Sequence, residues 1–326
     1  MTTRPPFDPE LEALLRARPY LSKSIHPRHI PALRESLRAG DTQVSDDVLR
    51  RSGAIDFEER DIPSSDPSVR TSLLVLRPSG VRVPRAGMCF IHGGGMISGD
   101  NRTGIEVLLD WVVDLGIVVA SIDYRLAPEH PYPVPLEDCY AALGWLAANR
   151  SWLGFDAQPL MLAGSSAGGG LAAGVAMLAR DRQGPALSDL VLMSPMLDDA
   201  AAFRSSTELE SEGVWDRQSN HTAWQALLGD RHGTADLPAY AAPSRQQQLA
   251  QMPATYLDVG AVETFRDEVI DFGARLAQAG VSLEMHVWAG AFHGFDMLAP
   301  DSAVARIAGV ARIDYLRRRL RGRAAA

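Results

Sequence analysis

Cysteine is all but missing from this 326-residue chain, with Cys89 and Cys139 the only two. One sits in an apolar strand-like run and the other in a helix-like stretch, so no disulfide framework is implied and a reducing compartment suits the chain best. Long hydrophobic runs are also lacking: none approaches the roughly 18 residues of a membrane span. The opening Met1-Thr2-Thr3-Arg4-Pro5-Pro6-Phe7-Asp8 has no apolar centre of the kind a secretory leader needs. These absences point to a soluble, cytoplasmic protein without a membrane partner. Positive charge is in deficit too, and a net charge of -8 leaves no basic footprint for nucleic acid. The carboxy-terminal run Arg317, Arg318, Arg319, Arg321 and Arg323 is too local to alter that balance, and it reads as a solvated helix end. Internal repeats and low-complexity linkers are absent. A hydrophobic content of 46% excludes a disordered or fibrous chain and supplies a substantial core.

From about residue 55 onward, short β-rich runs alternate with amphipathic segments, the pattern of a largely parallel sheet with helices on both faces. The eight strand candidates are Ile55 to Ile62, Thr71 to Leu76, Gly87 to Ile91, Ile117 to Ile122, Leu160 to Ala163, Leu190 to Met193, Thr255 to Val259 and Leu283 to Trp288. Several are almost wholly apolar, as strands covered on both faces should be. Ile105, Leu108, Leu109 and Val112 recur at helical spacing, as do Phe265, Val269, Phe272 and Leu276, so each set predicts one buried helical stripe. Two stretches break the alternation. Residues 1–45 read as an amino-terminal cap segment, and residues 46–326 as one catalytic domain carrying an insertion at about 200–250. A connection that long inside a compact domain is usually a lid or another functional insertion.

Gly164-Ser165-Ser166-Ala167-Gly168 matches G-x-S-x-G between an apolar strand candidate and a small-residue helix, Gly170 to Ala179. A sharp strand-to-helix turn would hold the Ser166 hydroxyl above the sheet, beside a helix amino terminus whose dipole favours developing negative charge. Ser166 is therefore the candidate nucleophile. Phe90-Ile91-His92-Gly93-Gly94-Gly95 ends another strand in three glycines, which costs chain entropy unless the backbone must approach a ligand closely. The N–H groups of Gly94, Gly95 and Ala167 are the candidate oxyanion donors, and His92 reads as a structural anchor of that loop.

In an α/β-hydrolase arrangement the acid and then the histidine follow the serine. Four histidines lie beyond residue 166. His221 and His232 fall in the insertion and His286 within a strand, whereas His293 sits in the loop Ala291-Phe292-His293-Gly294-Phe295 after the last strand. His293 is accordingly the candidate base. For the acid, the loop after Thr255 to Val259 offers Glu263, with Asp267 the alternative. Asp258 belongs to the strand itself, while Asp267 and Glu268 have an ordinary use in offsetting the dipole of the next helix.

The glycine loop His92-Gly93-Gly94-Gly95, the run Tyr124-Arg125-Leu126-Ala127-Pro128-Glu129-His130-Pro131, the serine elbow and Phe292-His293-Gly294-Phe295 occur in this order. With them the chain resembles the hormone-sensitive lipase family of bacterial esterases, from about residue 75 to the carboxy terminus. The resemblance implies an α/β-hydrolase fold with a mostly parallel eight-stranded sheet, and a helical cap built from the amino-terminal segment plus the insertion. It implies a carboxylesterase acting on short acyl esters, with small-molecule substrates and neither cofactor nor metal. Three positions depart from the family pattern: Ser165 stands where Asp is usual, Glu263 where the acid is often Asp, and Met96 where an aromatic commonly follows the glycines. Met96 and Ser165, together with Trp215 in the insertion, are candidates for the substrate pocket. The same machinery would serve an amidase, a formamidase or a biosynthetic tailoring hydrolase. A ligand-binding receptor on this fold would be expected to lack a triad member, and none is missing. No residue decides between a monomer and a homodimer.

Overall fold

The computed structural model describes residues 4–39 and 44–321. Eight strands form one sheet: β1 (Ile55–Pro63), β2 (Arg70–Pro78), β3 (Gly87–Ile91), β4 (Val118–Ile122), β5 (Leu160–Ser165), β6 (Asp189–Met193), β7 (Ala254–Gly260) and β8 (Leu283–Trp288). Their spatial order is β1-β2-β4-β3-β5-β6-β7-β8. β2 alone runs against the rest, pairing antiparallel with both β1 and β4. β3 is flanked by β4 and β5 in parallel, and the parallel register continues through β6 and β7 to β8. This is the mostly parallel sheet that the apolar runs predict.

The two-residue period of each strand divides the core in two. Val75, Cys89, Ile91, Ala120, Leu162, Leu192 and Leu257 pack on one face beneath helices Val134–Ala148, Ala167–Asp181 and Arg266–Gln278. Their neighbours Leu74, Met88, Phe90, Val119, Met161, Val191 and Tyr256 join the opposite core, below Glu106–Leu115 and Ala303–Arg321. Each fully buried Leu, Val or Phe contributes about 1.5–3 kcal/mol. That is why strands covered on both faces carry almost no polar side chains. Cys89 and Cys139 are both buried free thiols.

Helix Pro9–Ala17 sends Leu11 and Leu15 into a third cluster with Phe292 and Phe295. A later part of the amino-terminal segment meets the insertion, where Ser219 Oγ accepts the Ile25 N–H at 2.9 Å and Thr222 Oγ1 donates to Ile25 O at 2.8 Å. Within the insertion, helix Arg217–Leu228 is capped by Asp216, whose carboxylate accepts the Ser219 N–H.

One carboxy-terminal arginine, Arg319, is less solvated than the run suggests, while Arg318 and Arg321 stay exposed. Arg319 is bound to the wholly buried Asp189, and Arg318 to Glu284. The helix over the sheet passes both carboxylates, and the Arg319 side chain turns back onto the fold. Met1, Thr2, Thr3, Arg323 and residues 40–43 of the amino-terminal segment lie outside the described residues.

Candidate active site

Ser166, Glu263, His293 and the glycine loop follow β5, β7, β8 and β3 respectively, so parallel strands deliver all four to one edge of the sheet. Ser166 caps the helix Ala167–Asp181 with φ 56° and ψ -124°. That conformation is sparsely populated for a residue with a Cβ, so the surroundings must enforce it. The Ser166 N–H donates to Met193 O at 2.8 Å, while its carbonyl accepts from Met196 at 3.0 Å. The elbow glycines are required sterically. A Cβ on Gly168 would stand 2.1 Å from Ile91 O and 2.3 Å from His92 O, and one on Gly164 would stand 2.2 Å from Gly168 O.

His293 Nε2 lies 2.8 Å from Ser166 Oγ, and its Nδ1 lies 3.1 Å from Glu263 Oε1. A carboxylate only accepts, so Nδ1 carries the proton and Nε2 is free to take one from the serine. Glu263 is wholly buried, and Ser166 and His293 are nearly so. Phe265 meets the imidazole edge to face with centroids 4.9 Å apart, and the Trp215 ring lies 6.3 Å away. The other Glu263 oxygen, Oε2, accepts from Ser194 Oγ at 3.0 Å and from the Gly260 N–H at 2.9 Å. Sequence reasoning does not find Ser194, because nothing near it marks a site and only the parallel pairing of β6 with β7 brings it to Glu263.

The glycine loop presses directly on the elbow, with a Cβ on Gly93 falling 3.2 Å from Ser166 Cβ. Gly94 and Gly95 have φ 103° and 65°. Either would clash if substituted, the first with Ser98 O at 2.2 Å and the second with Trp215 Cη2 at 2.5 Å. Among the described residues no acceptor meets the N–H groups of Gly94, Gly95 or Ala167. His92 anchors the loop: its Nδ1 lies 2.7 Å from Gly93 O, its carbonyl accepts from Tyr124, and its ring stacks on that tyrosine at 4.3 Å. Burial keeps this imidazole neutral, with its pKa lowered to about 4.

The remaining candidates are placed as follows. Met96, at φ 61°, is buried in the same hydrophobic cluster as Trp215 and Ala223. Ser165 closes β5 opposite Met193. Asp267 is occupied elsewhere, paired with Arg266 at 2.7 Å and accepting the Ser205 N–H at 2.9 Å. Asp258 points to the opposite face, where Arg312 Nε binds it at 2.7 Å. Glu268 is not a surface residue offsetting a helix dipole. It is wholly buried, accepts from Leu197 at 2.7 Å, and burial raises its pKa well above the carboxylate range. Away from the site, the His221 and His232 rings lie 5.0 Å apart and His286 stacks on Trp288.

Comparison with known proteins supports the fold that carries this arrangement. A family model described as alpha/beta hydrolase fold matches residues 88–297, well over half of the chain. Esterase LipI of Mycobacterium tuberculosis (strain ATCC 25618 / H37Rv) is 36% identical over 208 residues, 63% of this chain and 64% of that protein, so the match spans less than two thirds of LipI. Hormone-sensitive lipase of Mus musculus is 40% identical over 108 residues, 32% of this chain and 14% of the lipase. Among solved structures, Bacterial Heroin Esterase superposes with a TM-score of 0.87 at 32% identity, covering 96% of this chain and 98% of that one. The chain belongs to the α/β-hydrolase fold family and is similar, over nearly its whole length, to an esterase of that fold.

Proposed function

We propose that the protein hydrolyses short-chain acyl esters through an acyl-enzyme on Ser166. The observation that carries this reading is the hydrogen-bonded line Glu263–His293–Ser166, with its 3.1 Å and 2.8 Å contacts. His293 takes the Ser166 proton on Nε2 as Oγ attacks the ester carbonyl carbon, and Glu263 stabilises the imidazolium. The carbonyl oxygen, now negative, accepts from the N–H groups of Gly94, Gly95 and Ala167, each worth on the order of 3 kcal/mol in the transition state. The alcohol leaves with the proton from His293, and water, activated by the same histidine, releases the acid. None of these steps calls on a metal or cofactor.

Residues 1–45 and about 200–250 act as the cap in this reading. Trp215, pressed against Gly95, forms the pocket wall with Met96 and Ser165. A cytoplasmic setting is supported by the two buried thiols. A homodimer would form at a sheet edge such as β8, which is paired on one side only.

The test is initial rates on p-nitrophenyl esters of increasing acyl length. The expected result is an optimum at short chains, with kcat reduced by about 10⁴-fold or more in Ser166→Ala. Full turnover by Ser166→Ala would refute the nucleophile. Hydrolysis of matched amides but not esters would move the reading to an amidase.

A further inference from the structure

The triad uses one oxygen of Glu263, and the other is held with equal care. Oε2 accepts from Ser194 Oγ and the Gly260 N–H. Ser194 is the first residue after β6, nearly buried, with φ 44°. Its own N–H donates to Asp258 O at 2.8 Å, which ties it to the strand that leads into the Glu263 loop. The same short segment holds the nucleophile, through Met193 O and the Met196 N–H on the backbone of Ser166. Its far end is fastened to Glu268, whose Oε1 accepts from Leu197 at 2.7 Å and Asp198 at 3.2 Å. Residues 193–198 therefore touch the nucleophile on one side and the acid on the other.

We propose that Ser194 is a positioning residue for catalysis: its hydroxyl and the Gly260 N–H form a socket for Glu263 Oε2 that keeps Oε1 facing His293. This inference rests on the triad reading given above. Glutamate has one more rotatable bond than aspartate, and its terminal torsion is broad, so a single contact to His293 leaves the carboxylate free to turn. Two donors on Oε2 remove that freedom. The socket leaves no room for a larger group, because a Cβ on Gly260 would stand 2.8 Å from Oε2 and 2.4 Å from Ala291 O. The left-handed backbone at Ser194 would suit glycine better. A side chain is kept there, and among the described residues its hydroxyl bonds Glu263 alone.

Ser194→Ala and Ser194→Gly, measured on p-nitrophenyl acetate across pH, test this. Loss of one hydrogen bond to a charged group predicts that both variants lower kcat about tenfold with KM changed less than about twofold. The acid limb of kcat/KM should also move to lower pH, because an imidazolium without a fixed carboxylate is less stable. If Ser194 mattered only for backbone shape, Ser194→Gly would match or exceed the wild type, and that result would overturn the proposal. A kcat loss with an unmoved acid limb would overturn it as well. Ser166→Ala measured alongside separates the two ideas. Turnover surviving in Ser166→Ala sinks the triad itself, whereas inactive Ser166→Ala beside wild-type Ser194 variants sinks only the positioning role. The glycine variant relieves the backbone, so it serves even where the alanine variant folds poorly.

Discussion

His92 shows how a single residue near the reacting atoms is chosen for rigidity and not for proton transfer. It is wholly buried against Tyr124, and desolvation holds its pKa at about 4, opposed by the Gly93 carbonyl and by the charge of Asp100. In the unfolded chain the same imidazole titrates near 6.5. Between those two values the unfolded state binds the extra proton, so stability is fully present above about pH 6.5 and falls as pH drops toward 4. Each pH unit in that window costs about 1.4 kcal/mol. Urea unfolding at pH 7.5 and pH 5.0 should show a wild-type loss that exceeds that of His92→Asn by about 2 kcal/mol. Asparagine keeps a donor toward Gly93 O but does not titrate. Equal losses in the two proteins would mean that His92 is not the group responsible.

Elements are joined here by buried charges whose partners come from distant sequence. Arg312, on helix Ala303–Arg321, binds Asp258 of β7 and Asp296 of the short helix Phe295–Leu298 that follows His293. Asp258 is fully enclosed and Arg312 is 2% exposed. Removing the cation would leave a buried carboxylate without its counter-charge, which costs about 3–5 kcal/mol. Arg312→Met should therefore lower the free energy of urea unfolding by that amount. Arg318→Met, which removes a pair that is 58% exposed on the arginine side, should change it by about 1 kcal/mol or less. Similar small effects from both would show that Asp258 finds another partner or protonates.

This contrast also explains what the sequence makes legible. The inner strands β3 to β6 stand out because burial on both faces forces apolar runs, while edge strands β1 and β8 keep exposed or half-buried residues. The elbow stands out because Gly164 and Gly168 admit no Cβ. Ser166, Glu263 and His293 could be named from their places after strands, and the structure brings the three together. Ser194, Glu268 and the Arg319–Asp189 pair follow no local pattern. Their surroundings are made by strand order and by a helix crossing the sheet, neither of which is written in neighbouring residues. Asp258 and Glu263 are both carboxylates near the end of β7, and only the face each occupies separates an ion pair from a partner of the histidine.

For the whole molecule the question is whether the segments at 4–39 and 200–250 stand apart from the sheet or share its core. The contacts favour sharing. Leu11 and Leu15 pack with Phe292 and Phe295 on either side of His293, and Trp215, Trp224 and Leu227 lie in the same cluster as Leu162, Leu192 and Leu257 of the sheet. Buried Asp199 is paired with Arg245 at 2.6 Å, and Arg34 donates to Ile97 O at 2.6 Å and to Glu129 at 2.9 Å. A segment that buries its apolar face in the main core loses that face when the core opens, so the parts should unfold together even though chains of this length often populate intermediates. Hydrogen exchange followed through a urea series tests this segment by segment. Amides of Pro9–Ala17 and Arg217–Leu228 should lose protection at the same urea concentration as those of β5 and β7. If the two helices open first while β5 and β7 stay protected, the cap is a separate cooperative unit, and gating of the Ser166 site by its motion becomes the better account of how substrate reaches the elbow.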